Sequence, residues 1–150
     1  MKKFKFSLDS VLSYKQQVLD ALKGEHAVIL AQVREQEDVL EAVWKAYRDC
    51  NEEYRQRKAE GITVTDAMLY QNGLRVLERD IQRETDKLEE LRKQEEAKRQ
   101  EVVDAKIDTS SIEKLKEHKL EDYYKAVQKD EEKLIDEFVS SARVRANIGA

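Results

Sequence analysis

The sequence predicts an all-α chain: two long helices forming an antiparallel coiled-coil hairpin, the second helix longer than the first. Three observations carry this reading. The 150 residues contain no proline and only four glycines, so little interrupts a helix. Charged residues make up 40% of the chain, well above the ~25% of an ordinary domain, as expected where one stripe is buried and the rest meets water. Apolar residues also recur about every 3.5 positions along two separate stretches, the period of a coiled-coil seam.

The first stretch starts at Leu8. Alternate steps of four and three reach Leu12, Leu19, Leu22, Ile29, Val33, Leu40, Val43, Tyr47, Cys50 and Tyr54, with Lys15, His26 and Gln36 as polar interruptions and Arg57 at the end. This predicts a helix over about 7–59, roughly 80 Å long at ~1.5 Å per residue. Ser7 and Ser10 are candidate caps for its start.

The seam stops at 60–65, which reads as the hairpin turn. Gly61 suits the left-handed position after a helix end. Thr63 and Thr65 are candidate caps for the next helix, and Asp66 adds favourable charge to its first turn. The second helix is predicted over about 66–145. Its seam runs through Tyr70, Leu74, Leu77, Ile81, Leu88, Leu91, Val102 and Ala105. Glu84, Glu95 and Lys98 also fall on it and predict a locally weak middle. At 107–111 two readings stay open: a break or kink, with Ser110 and Glu113 as a capping box, or an uninterrupted helix. Apolar positions resume at Ile112, Leu115, Leu120, Tyr124, Val127, Leu134 and Phe138.

One register satisfies both seams. If facing residue numbers sum to about 124, Tyr54 meets Tyr70, Val43 meets Ile81 and Leu22 meets Val102, the mutual consistency expected of a sequence that specifies one structure. The same register leaves residues beyond about 117 without an intramolecular partner. The whole is expected to be a single coiled-coil domain.

Composition excludes several functions. With 28 basic and 32 acidic residues interleaved and a net charge of −4, no basic face suits nucleic acid. The longest apolar run, Ala27–Ala31, is far short of the ~20 residues that span a bilayer. No secretory signal follows Met1. Cys50 stands alone and fits a reducing cytoplasm. His26 and His118 lie in different segments, His26 reading as a polar seam residue and His118 as part of a solvated face. Cys50 reads as a small buried hydrophobe. Gly24, Gly61, Gly73 and Gly149 never cluster as a phosphate loop requires. The expectation is a non-enzymatic protein with no cofactor and no metal, acting through protein partners.

Two regions are candidates for such contacts. Trp44, Tyr47, Tyr54, Tyr70 and Leu77 gather near the turn, and tryptophan and tyrosine are favoured interface anchors. At the chain ends, Phe4 and Phe6 alternate with lysines ahead of Leu8, a segment suited either to pack against the overhang of the second helix or to touch an acidic surface, while Leu134, Phe138, Arg143 and Arg145 close the second helix.

Three stretches resemble the FliJ family, the small coiled-coil component of the flagellar type III export apparatus. They are Phe4-Lys5-Phe6-Ser7-Leu8-Asp9-Ser10-Val11-Leu12, the pair Asn51–Arg55 and Tyr70–Leu74 flanking the turn, and the acidic run Glu131–Phe138. The resemblance extends over the whole chain. It departs at Gly73, where some relatives carry a large apolar residue. It implies a stalk similar in shape to the central subunit of rotary ATPases. Such a stalk engages a hexameric flagellar export ATPase and promotes its assembly and activity. It also contacts the cytosolic part of a membrane-embedded export gate and escorts export chaperones. Carried onto this chain, the ATPase-facing pole would be Phe4, Phe6, Leu8 and Leu134 to Arg145, and the gate-facing patch Trp44, Tyr47, Tyr54, Tyr70 and Leu77. The expected location is cytoplasmic, peripheral at the inner face of the cell membrane, with no direct membrane insertion. The alternative is a passive structural tether or chaperone escort that homo-oligomerises through its overhang.

Overall fold

A computed structural model describes residues 2–149 and contains two helices, α1 (Asp9–Glu60) and α2 (Val64–Ile148), with no strand among those residues. They form an antiparallel coiled-coil hairpin in which α2, at 85 residues, exceeds α1, at 52. The turn between them is short because each end is closed locally. Gly61 takes φ 100°, a left-handed conformation that side chains rarely adopt. Thr63 Oγ1 then accepts from the Asp66 N–H at 3.1 Å and caps α2, with the Asp66 charge in the first turn. At the other end, α1 starts at Asp9, between the starts that the two serine candidates imply. The Asp9 N–H donates to the Phe6 carbonyl, and the Leu12 N–H donates to Leu8. Leu8 therefore holds the cap position, and neither Ser7 nor Ser10 caps the helix.

The chain divides into two compact units. The turn unit comprises Asp20–Val103. Its inner stripe includes the buried residues Val33, Tyr54 and Leu88 and the half-buried Ile29, Leu40, Val43, Leu74, Leu77, Ile81 and Leu91. The polar seam positions are all partnered across the helices. Gln36 Nε2 donates to the Glu84 carboxylate at 2.6 Å and to the Glu84 carbonyl at 3.0 Å. His26 Nε2 lies 2.8 Å from Glu95 Oε1, within hydrogen-bond distance across the helices. Lys98 Nζ donates to Glu25 at 2.9 Å and bridges to Glu101 at 2.8 Å. A seam carrying charge is tolerable when every charge is met by a hydrogen bond. No buried side-chain nitrogen or oxygen among the described residues is left without a partner.

The chain-end unit joins the residues up to Leu19 with those from Asp104 onward. Here α2 continues through Ile107–Ser111 without a break. Thr109 and Ser111 turn their hydroxyls back to the carbonyls of Ala105 and Ile107, at 2.8 and 2.9 Å, so neither competes for the backbone as a cap. Thr109 is almost wholly enclosed and also reaches the Lys15 carbonyl. Lys116 pairs with Asp9 at 2.9 Å. The inner stripe then runs Ile112, Leu120, Tyr123 and Val127. Leu115 and Tyr124, expected on it, face solvent instead.

The expectation of an unpartnered helix from residue 118 is also corrected. The segment ahead of α1 folds back along α2: Phe4 stacks on Tyr123 at 5.5 Å, the Tyr123 hydroxyl donates to the Lys2 carbonyl at 2.9 Å, and Phe6 is buried. The uncovered part of α2 starts only after Val127, and every described residue from Gln128 onward is exposed.

Candidate protein-interaction surfaces

In the turn unit, the predicted aromatics are mostly structural. Tyr54 is buried, and Tyr47, Tyr70 and Leu77 are half-buried on the seam. Tyr54 and Tyr70 pack at 5.2 Å between centroids. Cations flank them: Lys58 Nζ sits 4.1 Å over the Tyr54 ring, and Arg57 sits 5.9 Å from Tyr70. The Tyr70 hydroxyl accepts from Arg57 at 3.2 Å and donates to Glu53 at 3.0 Å. That relay ties the last turns of α1 to the first turns of α2. The Arg57 guanidinium is held above its usual pKa, first by the hydrogen bond to Tyr70. Tyr47 donates to Glu78 at 3.5 Å and meets Trp44 edge-on at 5.9 Å.

Trp44 is the predicted member that reaches solvent, at 40% exposure. The larger apolar surface was not anticipated. Val64, Met68, Leu69 and Val76 all stand exposed on the first turns of α2. Arg75 and Arg79 lie on the same outward side at ~100° per residue. Beside them, Cys50, Arg57, Asp66, Leu69 and Tyr70 line a shallow groove of about 260 Å³. A Cβ at nearby Gly73 would stand 4.0 Å from Cys50 Sγ, an ordinary contact. The signal in the sequence was the apolar excess Val64, Met68, Leu69 and Val76 lying off the seam period.

In the chain-end unit the predicted residues separate into two groups. Phe4, Phe6 and Leu8 are wholly or partly buried by the fold-back, and Phe6 belongs to the core. Leu134 and Phe138 are free, at 66% and 74% exposure. With Glu137, Ser141, Ala142 and Arg145 they line an open groove of about 520 Å³ along one face of α2. Arg143 projects from a different side of the helix, two residues or ~200° away from Arg145. Ile135, Val139, Val144 and Ile148 add further exposed apolar surface.

Among the described residues, no cluster of His, Cys, Asp or Glu is arranged to hold a metal. No helix among them is long and apolar enough to cross a membrane. Fold and surface chemistry together define a class: coiled-coil hairpin proteins that present apolar helix faces to solvent. The sequence model of one such family, described as Flagellar FliJ protein, matches residues 4–147. The chain belongs to this family and is accordingly a component of the flagellar export apparatus. No curated protein and no solved structure matches it.

Proposed function

We propose that this protein is a non-enzymatic stalk of the export apparatus. In this reading it engages the hexameric export ATPase through the exposed end of α2 and the export gate through the turn unit. Family membership over residues 4–147 carries the reading. The uncovered stripe of Leu134, Phe138 and Arg145 supports the ATPase contact, because an exposed amphipathic helix gains stability only by burying that stripe against something else. For the gate, Trp44 with Val64, Met68, Leu69 and Val76 supplies exposed contact area, while Tyr47, Tyr54, Tyr70 and Leu77 hold the helices that present it. Chaperone escort and peripheral association with the membrane follow from the same family reading.

The deciding experiment measures ATP hydrolysis and ring formation by the cognate export ATPase. It compares the full chain with a version ending at Asp130. Stimulation by the full chain and its loss on truncation is the expected result. No stimulation of an ATPase able to form rings on its own would overturn the stalk reading and favour a passive tether.

A further inference from the structure

The exposed face of α2 beyond Val127 changes chemistry along its length. At ~100° per residue, Glu131, Leu134, Phe138, Ser141 and Arg145 share one side. The order is acid, two large apolar groups, a small residue and base, with the Glu137 carboxylate along one edge of the strip beside Phe138. Glu131 and Arg145 form no ion pair with any described residue, and Leu134 and Phe138 lie between them in the open.

We propose that this face pairs antiparallel with the same face of a second copy of this chain. The sequence of charges selects that partner and that direction. Two copies aligned in parallel would set Glu131 against Glu131 and Arg145 against Arg145, which is repulsive at both ends. Two copies run antiparallel about Phe138 set Glu131 opposite Arg145 of the second copy, twice over, as a two-fold arrangement requires. In the same register Phe138 meets Phe138 of the second copy. Leu134 meets Ala142, and the small side chains of Ser141 and Ala142 let the helices approach closely enough for the leucine to seat. All four apolar side chains then leave water together.

The paired stretch, Glu131 to Arg145, is about 22 Å long, so the interface is small and the association weak and salt-sensitive. Leu134, Phe138 and Arg145 also belong to the stripe assigned above to the ATPase. Pairing of copies would therefore hide that stripe until a ring displaces it. The pairing itself does not depend on the ATPase assignment, and its test involves no ATPase.

Sedimentation equilibrium of the full chain, from low to high micromolar concentration, reads the association directly. A monomer–dimer equilibrium is expected. E131R or R145E alone weakens it about five- to tenfold, and the double reversal E131R/R145E restores it, because the opposed charges are exchanged together. All these positions are solvent-exposed, and circular dichroism verifies that helix content is unchanged. Orientation is read by disulfide trapping in a Cys50→Ala background. A chain carrying L134C mixed with one carrying A142C cross-links between the two, and neither cross-links with itself. A chain that stays monomeric throughout, a double reversal that fails to recover dimer, or self-cross-linking of L134C would each overturn the proposal.

Discussion

Gln36 grips Glu84 twice, donating one N–H to its carboxylate at 2.6 Å and the other toward its backbone carbonyl at 3.0 Å. Glu84 is 7% exposed at a seam position and has Lys87 and Arg83 at 3.5 Å as its remaining partners. A buried polar pair of this kind contributes less to net stability than to register, since a slip along the seam leaves both groups unmet. Gln36→Leu is therefore expected to lower the melting temperature by about 3–5 °C. Adding Glu84→Leu recovers that loss, because an apolar pair needs no partner. Thermal melts of the three chains decide the matter; a double variant less stable than Gln36→Leu alone would refute it.

The same contact sets an acid response. The Glu84 carboxyl is held below its ordinary pKa, chiefly by the hydrogen bond from Gln36, with Lys87 and Arg83 assisting and burial opposing. A depressed carboxylate stabilises the fold fully above its unfolded pKa of about 4.3 and loses that contribution as pH falls through the lower folded value. Stability is thus expected to drop below about pH 4, and Glu84→Gln flattens that part of the profile. Denaturant titrations across the acid range, run on both chains, measure the difference in slope.

Glycines here divide by backbone conformation. Gly61 sits at φ 100°, so Gly61→Ala forces a methyl into a region that costs about 1 kcal/mol even though space is open. Gly24 lies within α1 with nothing within 4 Å of an added Cβ, and Gly73 meets only Cys50 Sγ at 4.0 Å, an ordinary contact. Gly24→Ala and Gly73→Ala are each expected to stabilise the chain by about 0.5–1 kcal/mol through helix propensity. Opposite signs in chemical denaturation at Gly61 and at the two helical sites are the outcome to look for.

Neighbouring tyrosines at 123 and 124 give another contrast. Tyr123 holds the fold-back through Phe4 and the Lys2 carbonyl, while Tyr124 is 61% exposed. Tyr123→Ala is expected to free the N-terminal segment, and tryptic cleavage after Lys2, Lys3 and Lys5 then quickens about tenfold. That estimate takes the opening cost as about one side-chain hydrogen bond plus ring contact. Tyr124→Ala leaves the cleavage rate unchanged.

Much of this architecture could be read from periodicity. Each seam position of α1 from Leu8 to Tyr54 is at least half-buried, and only Arg57, next to the turn, is exposed. Hydrophobic spacing determines which face a helix buries, and two seams with one common register determine how they meet. Polar seam positions resist that method. Glu84, Glu95 and Lys98 looked like weaknesses because their partners Gln36, His26 and Glu25 lie dozens of residues away and are recognised only once the register is applied in three dimensions. Ser110 and Glu113 looked like a capping box because their spacing matches one, and α2 nevertheless runs on through them, with the hydroxyls of Thr109 and Ser111 on either side bonding back into the helix. The choice between Tyr123 and Tyr124 depended on a drift of one position in the stripe past Thr109, and both residues are tyrosine. The exposed patch at Val64, Met68, Leu69 and Val76 was written in the sequence, but as residues off the seam, where attention to the core passes over them.

Phe6 and Phe138 provide the sharpest separation of structure from function. Phe6 is 9% exposed in the core of the chain-end unit, and Phe138 is 74% exposed on the uncovered end of α2. Phe6→Ala removes buried apolar area and is expected to cost about 3 kcal/mol, with loss of the fold-back contacts around Tyr123. Phe138→Ala removes no contact within the chain, so its effect on the melting temperature of the dilute monomer is expected to be within about 1 °C. If the exposed stripe is the ATPase-facing surface, the order reverses in a functional assay. Phe138→Ala then weakens stimulation of the export ATPase about tenfold or more, as truncating a buried aromatic anchor does at an interface. Phe6→Ala weakens it only in proportion to the unfolded fraction and regains full effect at lower temperature. Equal stimulation by wild type and Phe138→Ala, at matched concentrations and with the fold intact, would remove this residue from the contact and with it the main support for placing the ATPase on the end of α2.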